Sequence, residues 1–278
     1  MTETTYGQKE PMENDAMVRT LDAQARAIWP QERILLKRIF HREGLDVVDV
    51  GCGTGEIASR ITREFAPNHL TGVDLAEPHI RRARELYGDL KHLTFRQGDA
   101  TALPFEANAF DVALCRHMLQ AVPDPAAVIR EMIRVVKPGG SIYVLAEDYG
   151  MLFFQPTTYD TDEFYRDYAG KAASRAGSDL RQGRKMPALL MALGCEEIAV
   201  NYLCVDTIRV DRSLLADIFV HWRDGFADWI SSYSGKPPED VRNRFNDMIE
   251  CCRRPDGYAA WIIPSVSGRV TAQTKKTK

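Results

Sequence analysis

The chain has 278 residues, 45% of them hydrophobic, which suits one large domain with a proper core. Thirty-six Lys and Arg stand against 39 Asp and Glu, a net charge of -3 without the basic excess of a typical nucleic-acid binder. The six cysteines form no Cys-x-x-Cys pair and no zinc spacing, and no stretch approaches the roughly 18 apolar residues of a membrane span, so a reduced cytoplasmic protein with no metal is expected.

Residues 1–14 are polar and acidic, lack the basic start and apolar stretch of a signal peptide, and read as disordered or loosely docked. From about Asp15 to Phe40 the pattern is helical, with an interruption near Pro30, which fits the first turn of a second helix. Short apolar runs then alternate with amphipathic stretches. Strands are expected at 45–50, 69–75, 92–97, 110–115 and 141–147, separated by "EIASRITREF", "EPHIRRARELYG" and "PAAVIREMIRVVK". Such alternation predicts a Rossmann-like, doubly wound α/β sheet with parallel strands. The "KPGG" at 137–140 reads as a helix end.

After Glu147 the regularity breaks into an aromatic, turn-rich segment, 148–182. A helix is expected over 183–194, closed by Gly194. Two further strands are expected, "CEEIAVNYLCVDT" and "YAAWIIP" (258–264), with a helical insertion at 205–256 between them. One domain over 15–264 therefore comprises N-terminal cap helices (15–43), a binding core (44–147), the aromatic segment and the insertion. Residues 265–278 read as a tail, ending in the solvated run Lys275 to Lys278.

The most informative stretch is "VVDVGCGTGEIA", Val47 to Ala58. A P-loop needs G-x-x-x-x-G-K-[ST], which is absent. A dinucleotide fingerprint needs G-x-G-x-x-G, but here Gly51, Gly53 and Gly55 give G-x-G-x-G, and Glu56 occupies the third fingerprint position. An acid at the start of a helix opposes a pyrophosphate. A ligand with a cationic centre and no phosphate fits better. Asp49 ends the first strand and suits an ammonium, while the glycines allow close backbone approach. Asp74 ends the second strand, nineteen residues after Gly55, and suits ribose hydroxyls. Asp99 ends the third and suits an adenine amine. Three strand-end acids define one rim of the sheet, where such folds bind ligands.

With "GVDLAEPHI", "QGDATALPF", "FDVALCRHMLQAVPDP" and "VIREMIRVVKPGGSIYVLAE", the glycine stretch resembles class I S-adenosylmethionine-dependent methyltransferases over about residues 45–147. The variety resembled is the ubiquinone/menaquinone-biosynthesis-like group, which mostly acts on small molecules. The resemblance implies a seven-stranded sheet whose last strand is antiparallel. It also implies a cofactor, S-adenosyl-L-methionine (product S-adenosyl-L-homocysteine), and no resident metal. Asp49, Gly51, Cys52, Gly53, Thr54 and Gly55 would surround the methionine part. Asp74 and Leu75 would hold the ribose, and Asp99 and Ala100 the adenine. Cys115 would offer its backbone near the methionine amine, and Arg116, His117 and Gln120 would stand at the mouth, with Gln24 reaching in from a covering helix. Segment 148–182 would border the acceptor, and the insertion would form a lid or a dimer surface, in a monomer or homodimer. One departure is Ala121, in "LQA", where related sequences often carry histidine.

Each feature has a plainer reading. The three acids could cap turns, and the Cys52 thiol could be inert. His117, Asp148 and Tyr149 are the candidate acid/base residues, yet for His117 a structural or cofactor-packing histidine is the favoured reading. The aromatics from Tyr149 to Tyr168 suit either a planar-acceptor pocket or a cover. Trp222, Phe226 and Trp229 fall on one helical face and read as packing. The expected reaction is methyl transfer to O, N or C of a small molecule, driven mainly by proximity and orientation. The alternatives are a methyltransferase acting on RNA or protein, and a cofactor-binding member of the fold that does not methylate. A nicotinamide oxidoreductase is disfavoured by the glycine spacing.

Overall fold

Apolar runs long enough to be covered on both faces build the centre of the sheet. The computed structural model describes residues 15–271; the expectations for residues 1–14 and for Lys275 to Lys278 lie outside the described residues. The elements are α1 (Asp15–Ile39), β1 (Asp46–Val50), α2 (Glu56–Phe65), β2 (His69–Asp74), α3 (Glu77–Tyr87), β3 (Leu93–Gln97), β4 (Phe110–Arg116), α4 (Pro125–Val135) and β5 (Val136–Leu145). They continue with β6 (Leu152–Gln155), α5 (Ala169–Arg175), α6 (Met186–Ala192), β7 (Cys195–Asp206), α7 (Arg212–Ser234), α8 (Pro238–Arg253) and β8 (Tyr258–Val270).

The strands lie in the order β3-β2-β1-β4-β5-β8, and β7 pairs with the far side of β8. The first five are mutually parallel; β8 runs antiparallel to β5, β6 and β7. The doubly wound sheet with a reversed last strand is the expected one. Val50 pairs with Val73 on one side and Cys115 on the other. This register brings the ends of β1, β2 and β4 to one rim. Alternate residues feed two cores. Val47 and Leu114 face α2, α3 and the insertion; Val48, Val50 and Val144 face α4 and α6.

Four features differ from expectation. First, α1 is one continuous helix through Pro30. Pro30 and Arg26, whose carbonyl loses its hydrogen-bond partner to the proline, are both exposed, so water can serve that carbonyl. Burial of Ile28, Trp29 and Leu36 on the other face supplies the stability that overrides the break. Second, "KPGG" is a bulge inside β5, not a helix end. The register jumps between Phe110 and Val112, Gly139 takes a left-handed φ of 81°, and Lys137 pairs with Asp111 (3.0 Å) and Asp46 (3.4 Å). Third, β8 runs past Pro264 to Val270, because Ser265 to Arg269 pair with β5. Fourth, β6 is an extra short strand that continues the β5 side along the first half of β8.

Between β6 and α5 lies a π-helical turn, Phe164–Tyr168, of the kind often found at functional sites. Helices α7 and α8 form the helical insertion. Asp211 caps α7 by accepting from Ser213 N and Leu214 N, and Gly235 ends it at φ 76°. Phe219 and Trp222 of α7 are buried against Phe154 and Trp261, with ring centroids 4.9 and 5.3 Å apart. No described helix is long and apolar enough to cross a membrane.

Candidate active site

The β1–α2 loop is shaped by its glycines. Gly51, Gly53 and Gly55 have φ of 75°, 53° and 81°, conformations that L side chains rarely adopt. A methyl at Gly51 would lie 2.7 Å from Met118 Sδ, and one at Gly55 2.6 Å from Phe95 Cζ. The loop is pinned to β2: Gly51 N and Cys52 N both donate to Val73 O, at 2.7 and 3.0 Å. Helix α2 starts with no side-chain cap. Glu56 lines the cleft, but its carboxylate is taken up by Arg60 (2.7 Å) and the Tyr87 hydroxyl.

Above the loop lies a cleft whose walls include Gln24, Asp49, Cys52, Thr54, Arg116 and His117. Leu21 of α1 leans over Gly53, so the N-terminal helix covers this loop. Asp49 is 2% exposed. Burial, with smaller contributions from Glu32 and Asp74, raises its carboxyl to about 7 against the pull of Arg116. Burial and then Asp74 push the Cys52 thiol well up, so it stays protonated; Cys115 behaves likewise.

The other two rim acids serve local turns in part. Asp74 accepts from Gly53 N (2.8 Å) and Ala76 N (2.9 Å), with His79 Nδ1 at 3.6 Å. It thereby joins the glycine loop to the start of α3. Asp99 Oδ1 accepts from Thr101 N and Oγ1, both at 2.8 Å. Ala100 is buried beside it and Leu75 is 41% exposed on the same rim.

Four candidates have their side chains or backbone committed. The Arg116 guanidinium forks onto Glu32 of α1 through two 2.6 Å bonds. Gln120 Nε2 donates to His117 O at 2.8 Å. Asp148, fully buried, pairs with Arg184 and caps its own turn through Gly150 N (3.0 Å). Tyr149 hangs by its N–H from Leu180 O (2.8 Å), and burial holds its phenol well above the usual range. Its ring helps wall a second pocket with Tyr165, Trp222, Phe226, Trp229 and Phe245.

His117 sits at φ 53° directly after β4, with its N–H on Leu145 O (2.8 Å). Its Nδ1 lies 2.5 Å from Glu147 Oε1. Sequence reasoning missed Glu147, although it ends the fifth strand as an acid, the same signal that found Asp49 and Asp74. Glu32 had no such signal, being one polar position in a long helix. Trp261, whose ring lies 5.7 Å from His117, was hidden in an apolar strand.

Residues 48–144 match the methyltransferase domain family. That match covers about a third of the chain. A demethylmenaquinone methyltransferase of Listeria welshimeri is 35% identical over 131 residues, 46% of this chain and 55% of that protein. The chain thus spans about half the length of the curated relatives it matches. Haemonchus contortus phosphoethanolamine N-methyltransferase 2, solved with phosphomonomethylethanolamine and S-adenosylhomocysteine, superposes with a TM-score of 0.62 at 18% identity, over 98% of this chain and 62% of that one. The [4+2]-cyclase SpnF superposes at 0.60 and 21% identity, over 97% and 98%. These similarities establish the methyltransferase-domain fold, and a cyclase on it shows that the fold alone does not fix the reaction.

Proposed function

We propose that this protein transfers a methyl group from S-adenosyl-L-methionine to a nucleophilic O, N or C atom of a small-molecule acceptor. The observation that carries the reading is the join of Asp74 to Gly53: a ribose-type acid at the end of β2 holds the glycine loop, and the buried Asp49 faces the same cleft. The residues fit the cofactor. Gly51 and Gly55 have no room for side chains, Asp49 would supply a carboxylate for the amino-acid ammonium, and the acid at the start of α2 is neutralised by Arg60. Asp74 and Leu75 would border the ribose, and Asp99 and Ala100 the adenine. When bound, the cofactor supplies a methyl group already activated by a sulfonium. The chain's own work is then to orient and to exclude water, effects that supply roughly 7–11 kcal/mol. Leu21 and Gln24 of α1 cover the cleft, and the aromatic pocket beside Tyr149 suits the acceptor.

Thermal unfolding tests this reading. A ligand at 100 times its dissociation constant adds about 2.7 kcal/mol of stability. S-adenosylmethionine and S-adenosylhomocysteine are expected to raise Tm, NADH is not, and Asp74→Ala should lose the response. Stabilisation by NADH alone would overturn the proposal.

A further inference from the structure

Several side-chain polar atoms around the ends of β4, β5 and β8 are buried without a hydrogen-bond partner. They include His117 Nε2, Glu147 Oε2 and Trp261 Nε1. Burying such groups unpaired costs free energy, so a cluster of them asks for a ligand. His117 walls the cofactor cleft, and its side chain is only 9% exposed. From His117 a series of ring contacts leads away from that cleft: to Trp261 (5.7 Å), to Trp222 (5.3 Å), to Tyr149 (5.3 Å) and to Tyr165 (5.5 Å). The last three rings wall the aromatic pocket.

We propose that His117, positioned by Glu147, is the proton acceptor for the methyl acceptor, and that the acceptor atom is a hydroxyl oxygen of the kind a phenol or enol carries. The inference rests on the methyltransferase reading and deepens it. The Nδ1–Glu147 contact fixes the ring and assigns the proton to Nδ1, which leaves Nε2 as a lone-pair acceptor. Glu147 is fully buried, so its charge acts on the imidazole through little solvent. The other ionisable groups nearby are Asp49, Arg116 and Glu56 on the cleft wall, and Cys115 and Tyr149 beside Glu147; burial keeps the last two protonated. In the step, the acceptor O–H gives its proton to Nε2 and the oxygen forms a bond to the methyl carbon. The sulfur–methyl bond breaks, its electron pair stays on sulfur, and the imidazolium returns the proton to water after product leaves.

The experiment has two readouts. The first needs no cofactor: 4-nitrophenol or 7-hydroxycoumarin is titrated onto the protein below the probe's own pKa, and the phenolate absorption is followed. Wild type is expected to bind the probe with added phenolate signal, and His117→Gln and Glu147→Gln to lose it. The second is methyl transfer from S-adenosylmethionine to phenols of graded acidity. With weakly acidic phenols His117→Gln should lose about 10²- to 10⁴-fold in kcat, the usual worth of a general base. With a nitrophenol already ionised at the assay pH the loss should shrink below about tenfold. Glu147→Gln should follow the same trend more weakly, and Glu147→Asp should recover part of it. S-adenosylhomocysteine-induced Tm shifts confirm that each variant is folded. Equal slowing across all phenols, or an unchanged phenolate signal in His117→Gln, would overturn the base. A wild type that binds the cofactor yet neither binds nor methylates any of these probes would overturn the acceptor class. A wild type that ionises the probe but binds no cofactor would sink the methyltransferase reading and leave the base standing.

Discussion

Arg116, at the end of β4, and Glu32, in the second half of α1, meet through two 2.6 Å hydrogen bonds with side chains 9% and 0% exposed. The charge of Glu32 and its hydrogen bonds keep Arg116 above its usual range in spite of burial. The pair ties the covering helix to the rim of the sheet, eighty-four residues away along the chain. Losing one partner would leave the other charge buried without its hydrogen-bond partner. Glu32→Gln is therefore expected to cost about 3–5 kcal/mol in urea unfolding, and the double replacement Glu32→Leu with Arg116→Met clearly less. Additive costs would show that the pair does not act as a unit.

Asp49 is expected to make cofactor binding depend on pH. Its carboxyl, at about 7, is largely neutral below that value and ionised above it. A ligand ammonium prefers the ionised form. Affinity for S-adenosylhomocysteine should rise up to tenfold per pH unit below about 7 and flatten above, with proton release on binding seen by calorimetry. Asp49→Asn should bind weakly and lose the slope.

The same group affects stability with the opposite sense. A raised carboxyl pKa stabilises the fold fully below about 4, and that contribution is lost as pH climbs through about 7. The rise from 3.8 to about 7 corresponds to roughly 4 kcal/mol. In the absence of ligand, the wild type should lose stability relative to Asp49→Asn between pH 4 and 7. A constant difference across that range would contradict the assignment.

Gly55→Ala places a side chain at φ 81° and 2.6 Å from Phe95 Cζ. The left-handed backbone alone costs roughly 1–2 kcal/mol. Tm should drop by at least a few degrees, and the Tm shift with S-adenosylhomocysteine should disappear. An unaltered ligand response would mean that the cofactor binds away from this loop.

Asp148 and Tyr149 separate structural from chemical roles. Burial keeps the Tyr149 phenol protonated, so Tyr149→Phe should change kcat by no more than a few-fold while altering KM for ring-bearing acceptors. Asp148→Asn removes the charge opposite Arg184 and should lower Tm without changing the rate per folded molecule. A loss of more than a hundredfold in either kcat would assign that side chain to the proton transfer instead.

The parallel half of the sheet was legible because its central strands are buried on both faces and acids stand at or just past the strand ends: Asp49, Asp74, Asp99 and Glu147 obey one rule. The glycine spacing was legible because positive φ and close packing leave few other residues possible. What local pattern could not show is set by distant partners. Helix α1 passes through Pro30 because tertiary burial outweighs a local break. Strand β8 continues to Val270 because β5 lies alongside, and "KPGG" bulges because Lys137 meets Asp111. The tie of Arg116 to α1 was not legible either, since its partner Glu32 belongs to an unremarkable helical repeat.

Gln31 of α1 clasps the backbone of Cys204 on β7 from both sides, its Nε2 donating to the carbonyl (2.7 Å) and its Oε1 accepting from the N–H (3.0 Å). These residues stand 173 positions apart. At roughly 5–20 residues per second of synthesis, α1 leaves the ribosome on the order of ten seconds or more before its clasp exists. Through that interval the buried face of Ile28, Trp29 and Leu36 lacks part of its final cover. The cleft thus acquires its roof late in translation, and a nascent chain stalled before β7 should be open to protease at α1 while its β1–β5 half is already protected.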